Sequence, residues 1–333
     1  MKKNLKKALS LILAIVMVFS LAVPSFAATK DDVKQYSRFT MIGDSVASGF
    51  GLQNVVENGT YNHFYRNDQS FPDQIATAVG IERGSANYHP LTCASVRVID
   101  FLYMMDKAPE GYDFEVASKF LGSSIQRKID AVMTKEDPTG AIDYGDIDNT
   151  MRADVTESLT NSDLIGIELG FNDVFWYPAS ITLEYANEVD GDIAKILVKF
   201  LSLIFDGCVQ FVKYYPVMLE EIRKVNPDAD IFLVGMYNPA TNITINEGDK
   251  FAVGKLFNIV TGTLNLLTRL WAIKYDCTYV DVTDLEPDIA GLNLMEALNG
   301  GLDFRDGGWD AHPSLEGHNL ITKQILRKLP EKK

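Results

Sequence analysis

The feature that most limits what this chain can fold into is a repeated alternation of short apolar runs with longer amphipathic stretches. Runs at 39–42, 164–169, 231–236 and 278–282 have the length of buried strands and are bordered by Gly, Asn, Asp or Pro. Between them, 70–79, 96–105, 192–214, 216–225, 251–275 and 314–329 carry apolar residues at helical spacing. Pro72 falls in a first turn, Ser314 stands at a helix start, and Pro216 predicts a break between two consecutive helices. Strands joined by helices of ten or more residues need crossover connections, which gives a parallel sheet with both faces covered. The expected class is therefore α/β, a three-layer α/β/α sandwich. No repeat or Pro/Gly/Ser-rich linker divides residues 28–333, so they read as a single domain, with a helical insertion around 178–215.

Residues 1–27 read differently. Lys2, Lys3, Lys6 and Lys7 precede an apolar run at 8–23, and Pro24-Ser25-Phe26-Ala27 supplies small residues at a cleavage position. That order is a secretory signal peptide cut after Ala27, and it places the mature protein outside the cell, with wall association left open. The competing reading, an uncleaved anchor, needs a longer apolar run of about 20 residues. Loss of the four lysines takes the formal charge from −14 to about −18. Such a surface repels nucleic acid and anionic headgroups, so neither is an expected partner, and no stable membrane span is expected after cleavage. Cys93, Cys208 and Cys277 cannot all pair; a Cys208–Cys277 bridge is left open, and no CxxC spacing points to a metal.

Three short motifs fall at strand ends or helix starts. Gly43-Asp44-Ser45 follows the first strand, where a hydroxyl is exposed beside the N–H groups of a starting helix. Gly170-Phe171-Asn172-Asp173 follows the second; glycine permits a tight turn, and an amide can donate to a developing oxyanion. Asp310-Ala311-His312-Pro313 precedes the last helix and offers an imidazole that can take a serine proton. Each motif alone is equally a turn or a helix cap. Of the other histidines, His318 reads as a helix residue covering the sheet, and His63 and His89 as structural or surface residues.

Taken in order, these blocks resemble the Gly-Asp-Ser, Gly-x-Asn-Asp and Asp-x-x-His-Pro blocks of the SGNH/GDSL hydrolases. The likeness runs over nearly all of residues 28–333, with Phe71-Pro72-Asp73-Gln74, Ile222-Arg223, Asn226-Pro227 and Tyr279-Val280-Asp281-Val282 as further spacers. The resemblance implies a flavodoxin-like parallel sheet of about five strands, hydrolysis of carboxylic esters, and no metal or organic cofactor. It makes Ser45 the nucleophile and His312 the base. The N–H of Ser45 and the side chain of Asn172 become oxyanion donors, and Gly170 and Asp173 support the loop that presents Asn172. The chain departs from the pattern twice. Ser95 stands where the family offers a glycine N–H as a further oxyanion donor. Trp309 stands three residues before the histidine, where the aspartate belongs, so the orienting role falls to Asp310, with Asp306 or a backbone carbonyl as alternatives.

Trp176 and Tyr177 are expected at the substrate rim, where aromatics stack on a sugar or line an acyl pocket, while Phe175 reads equally as core. The apolar stretch 193–205 is expected to be buried, the alternative being a lipid-touching face. Small esters or acetylated glycans therefore lead as substrates, and lipid or phospholipid esters follow. A secreted carbohydrate-binding protein without turnover is the reading from another class.

Overall fold

The computed structural model describes residues 33–49, 52, 54–55, 61–62, 69–93, 95–113, 152–241, 243–244, 253–288, 292–293 and 312–331. The leader at 1–27, His63, Asp306, Trp309 and Asp310 lie outside them.

Five parallel strands make the sheet: β1 (Phe39–Gly43), β2 (Tyr88–Thr92), β3 (Leu164–Glu168), β4 (Asp230–Val234) and β5 (Thr278–Val280). Their spatial order is β2-β1-β3-β4-β5. The chain reverses its direction of winding between β1 and β3, and ligands of such sheets bind at the carboxyl ends beside that switch point. All five residues of β1 and of β3 are buried, as expected for strands covered on both faces. β2 escapes a periodicity reading because only Tyr88 and Leu91 are apolar and Pro90 stands at its centre. An edge strand tolerates a proline, since one row of its N–H groups has no ladder partner.

Helices α2 (Phe71–Ala78) and α8 (Leu315–Leu326) cover one face, packing Phe71, Ile75, Ile321 and Ile325 on Phe39, Met41 and Phe232. The other face lies under α3 (Val98–Met104), α4 (Arg152–Asn161), α6 (Ile193–Val225) and α7 (Val253–Lys274), with Ile42, Ile165, Ile167, Phe211 and Tyr215 at its centre. The result is the expected three-layer sandwich. By length and composition 254–274 is apolar enough to cross a membrane. It is nevertheless fastened to the sheet: Asn265 accepts the N–H of Met236 and donates to its carbonyl, both at 2.7 Å.

Two expectations are corrected. Pro216 does not divide Ile193–Val225, which is one helix of 33 residues capped by Asp192. Proline removes one backbone bond, here to the carbonyl of Val212, on a side exposed enough for water to replace it. Phe211, Tyr215, Met218 and Leu219 are meanwhile buried on the opposite side, and Tyr215 stacks on Trp271 at 5.5 Å. Nor is 193–205 buried all round. Ile196 and Ile204 face inward, but Val198 is 69% exposed, Leu201 48% and Phe205 67%. The bridge that the sequence left open, Cys208–Cys277, is not formed: Cys93, Cys208 and Cys277 are all free thiols.

At the amino ends of the strands, Val33 pairs with Glu331, and the N–H of Lys34 donates to the carbonyl of Pro330 at 2.9 Å. The Tyr36 hydroxyl donates to Asp230, the first residue of β4, at 2.8 Å.

Candidate active site

The one-turn helix α1 (Ser45–Ser48) folds back immediately after β1 because residue 43 has no side chain; a Cβ there would stand 2.3 Å from Cβ of Ala47. Asp44 caps α1 by accepting the N–H of Val46 at 2.9 Å. Ser45 is the first helical residue, so its own N–H has no partner within the helix. Its Oγ lies 2.8 Å from Nε2 of His312.

The start of α8 sets the position of His312. Ser314 caps that helix, accepting the N–H of Gly317 at 3.2 Å. One turn later His318 is buried against α2, where its Nδ1 accepts the N–H of Phe71 at 3.1 Å and its ring stacks on Phe71 at 5.9 Å. Burial pushes this imidazole down to about 3, so it stays neutral and serves as a cap for α2. His89 is likewise a backbone partner, 2.8 Å from the carbonyl of Ala86.

Gly170 follows β3 with φ of 121°, and a Cβ there would stand 2.3 Å from the Phe211 ring and 2.4 Å from Met236, so no larger residue fits. The chain then enters a π turn, Asn172–Trp176, which continues into α5 (Tyr177–Glu188). Single π turns recur at functional sites because they re-aim side chains inside a helix. Gly207 of α6 lies directly on this turn; a Cβ there would stand 2.0 Å from the carbonyl oxygen of Asp173.

The Asp173 carboxylate accepts the N–H of Val98 at 3.2 Å and thereby ties the loop after β3 to the loop after β2. Burial raises this acid to about 7, against the opposing pull of Arg97 and of the Val98 N–H. Arg97 is itself fixed by Asp100, with Nε and Nη2 at 3.0 and 2.9 Å from its oxygens, and Tyr112 donates to the same carboxylate. In the loop after β2, Ser95 has φ of 67°, the left-handed region in which glycine is at ease. The residue standing where a glycine was expected thus takes a glycine's backbone conformation.

Asn172 is buried beside this cluster, and its amide is already engaged. Nδ2 donates to Asp44 at 2.9 Å and to the carbonyl of Val96 at 3.0 Å, which uses both of its hydrogens. As an oxyanion donor it has to release one of them. Phe175 is core, edge-on to Phe257 at 5.2 Å. Trp176 and Tyr177 are half-buried; the Arg97 guanidinium lies 3.9 Å over the Tyr177 ring, and the Trp176 Nε1 is buried without a hydrogen-bond partner.

Two acids of the site carried no role in the sequence reading. Asp44 joins Asn172 to the turn that carries Ser45, and Glu168, the last residue of β3, is buried with its Oε2 3.4 Å from the N–H of Asp44. The signal for Glu168 was present: a carboxylate closing an otherwise apolar strand is rare unless a partner awaits it. Among the described residues no group of three or more His, Cys, Asp or Glu side chains is placed to hold a metal ion.

No protein-family model matches the sequence, and no curated protein matches it. Similar solved structures include an extracellular lipase from Streptomyces rimosus, 15% identical, covering 87% of this chain and 97% of that one with a TM-score of 0.49. A phospholipase A1 from Streptomyces albidoflavus is 13% identical over 87% and 97% with a TM-score of 0.48. A family 2 carbohydrate esterase from Corynascus thermopiles (Myceliophthora fergusii) is 15% identical over 92% and 67% with a TM-score of 0.43. The functional reading is carried by the geometry of the site and not by these likenesses. The sheet order, with Ser45 after β1, Asn172 after β3 and His312 before the last helix, is the flavodoxin-like architecture that the resemblance to SGNH hydrolases implies.

Proposed function

We propose that this chain is a secreted serine ester hydrolase of the SGNH/GDSL kind, with Ser45 as nucleophile and His312 as general base and then general acid. The observation that carries the reading is the 2.8 Å pairing of Ser45 Oγ with His312 Nε2, between residues 267 positions apart in sequence. A hydroxyl in that contact loses its proton to the imidazole as it attacks an acyl carbon. The oxyanion that forms meets the N–H groups of Ser45 and Ser95 and one hydrogen of Asn172, released from Asp44 or from Val96. The imidazolium returns the proton to the departing alcohol, and water then cleaves the acyl-enzyme by the same route. Asp310 is the proposed orienting acid for His312, and Trp176 and Tyr177 are the proposed rim. The enzyme is proposed to need no cofactor, so chelator is expected to leave turnover unchanged.

Small acyl esters and acetylated glycans are the favoured substrates. The exposed apolar stripe on α6 (Val198, Leu201, Phe205, Val209 and Val212) favours lipid esters as the second reading. A p-nitrophenyl ester series from acetate to palmitate separates the two: a maximum at two to four carbons supports the first, at eight or more the second. A fluorophosphonate probe tests the chemistry itself. Labelling of the folded protein that vanishes in Ser45→Ala is expected; absence of labelling and of acetate-ester turnover favours a carbohydrate-binding protein on the same fold. Secretion predicts a mature protein beginning at Ala28, which N-terminal sequencing of secreted material checks.

A further inference from the structure

We infer that the shared outer face of α6 and α7 is a docking surface for a lipid bilayer that carries anionic phospholipid. This assignment does not depend on the role given to Ser45.

Val198, Leu201, Phe205, Val209 and Val212 follow one another along α6 at spacings of three, four, four and three residues, and all five are exposed. Such a pattern repeats over 11 residues, close to three helical turns, so the row runs straight along the helix for about 21 Å. On α7, Ile259 is 68% exposed and Ile273 75%, and the half-buried Leu266 and Leu270 stand between them at helical spacing. Phe200 packs on Phe257 at 6.5 Å and Tyr215 stacks on Trp271 at 5.5 Å, so the two helices lie side by side and run in the same direction. Each buries its other side in the core beneath, so the two exposed rows belong to one apolar face. Single exposed apolar side chains are ordinary on any surface, but a contiguous set marks a binding face.

The charges around this face oppose those of the rest of the chain. α6 and α7 hold eight Lys and Arg against three Asp and Glu, in a chain of formal charge −14. Lys195 is matched by Asp192, Lys224 by Glu220 and Glu221, and Arg269 by Asp281. Arg223 is spent on backbone carbonyls at Tyr275 and Ala229. Lys199, Lys213, Lys255 and Lys274 have no carboxylate in ion-pair reach among the described residues, and Asp206 is the one acid of these helices without a cation.

The formal charge of the whole chain predicts repulsion from anionic headgroups. Salt, however, screens charges beyond about 8 Å, so a surface that meets this face responds to its own lysines and not to acids on the far side. Each lysine beside an anionic bilayer strengthens binding by about fivefold. The same charges disfavour a second copy as the occupant, because a two-fold dimer through this face would set four lysines against four. A folded protein partner is held mainly by aromatic and Arg anchors, whereas this face is almost wholly aliphatic. Acyl chains and phosphate headgroups need no such anchors: the aliphatic side chains enter among the chains, and the lysine amines reach the phosphates. The protein lies on the bilayer and does not span it, since one side of each helix belongs to the core.

Flotation of the secreted protein with vesicles tests this, using phosphatidylcholine alone or phosphatidylcholine with one third phosphatidylglycerol. Wild type is expected to bind the mixed vesicles at least tenfold more tightly than the neutral ones and to lose that margin in high salt. Leu201→Asp combined with Phe205→Asp is expected to weaken binding to the mixed vesicles at least tenfold. Lys213→Glu combined with Lys255→Glu is expected to remove the margin between the two vesicle types. All four side chains are exposed, so unchanged circular-dichroism melting is expected and shows the fold intact. Wild type that binds neither vesicle, binds both equally, or binds no better than the Leu201→Asp, Phe205→Asp protein overturns the inference. So does a dimer in sedimentation that this pair of changes dissociates while no vesicle is bound, which gives the face to a second copy. Flotation uses no ester substrate, so none of these results touches the Ser45 reading, which the fluorophosphonate probe tests separately.

Discussion

At Gly207 the long helix α6 lies directly on the turn that presents Asn172, and replacement of this glycine by alanine should be felt in both stability and rate. A Cβ at 207 would stand 2.0 Å from the carbonyl oxygen of Asp173. Ordinary carbon–oxygen contact lies more than about 3 Å apart, so helix and π turn must separate by roughly 1 Å. The obstacle is backbone, which cannot swing aside as a side chain can. Overpacking of this kind costs about 1–3 kcal/mol, and alanine returns up to about 1 kcal/mol of helix propensity. A net loss of about 1–2 kcal/mol is expected, or a fall in Tm of roughly 2–3 °C for a domain of this size. The rate should suffer more, because a displacement of about 1 Å at a reacting centre costs up to about 100-fold. Thermal unfolding by circular dichroism and kcat/KM for p-nitrophenyl acetate measure the two effects. Gly262→Ala is the control: this glycine of α7 has open space where its Cβ would go, and the change should stabilise by about 0.5–1 kcal/mol. Gly207→Ala with unaltered Tm and kcat/KM would refute the claim that this contact fixes the loop.

Ser95→Gly relieves a left-handed backbone and should leave stability equal or raise it by up to about 1 kcal/mol, whereas Ser95→Val should lower it; urea denaturation compares them. Asp173 has its acid raised to about 7 in the fold, so the folded chain binds a proton that the unfolded chain has already lost. Its contribution therefore turns unfavourable as pH rises from about 4 towards 7, and Asp173→Asn should gain stability relative to wild type over that window. His318 acts in the opposite sense, since its folded value lies near 3, below that of the unfolded imidazole. It costs nothing above about pH 6.5 and weakens the fold as pH falls towards 3; His318→Gln, retaining an acceptor for Phe71, should flatten that acid limb in denaturation midpoints. Asp100→Ala strands the Arg97 guanidinium in a largely buried position and should cost about 3–5 kcal/mol, read from the same urea curves.

The parts legible in the sequence are those in which local pattern and burial agree. β1, β3 and β4 are largely apolar runs flanked by turn residues, and the cap at Ser314 stands where its helix begins. β2 was not legible, because an edge strand needs little apolar character and tolerates Pro90. Pro216 misled because a local rule about proline was outweighed by the buried row from Phe211 to Ile222. The exposure of Phe205 was hidden because composition cannot say which face of a helix finds a partner. Within the site, the Ser45 and His312 motifs were visible, but the Asp44–Glu168 contact was not. It joins the residue after β1 to the end of β3 through strand register, and pairing register is a tertiary fact.

The pairing of Val33 with Glu331 has a practical consequence. Both ends of the described chain leave from the amino side of the sheet, while Ser45 and His312 sit at the carboxyl side. A tether, reporter or solid support attached before residue 33 or after residue 331 would hang behind the molecule. Immobilised by either route, the protein should keep the side that carries Ser45 and His312 turned away from the support.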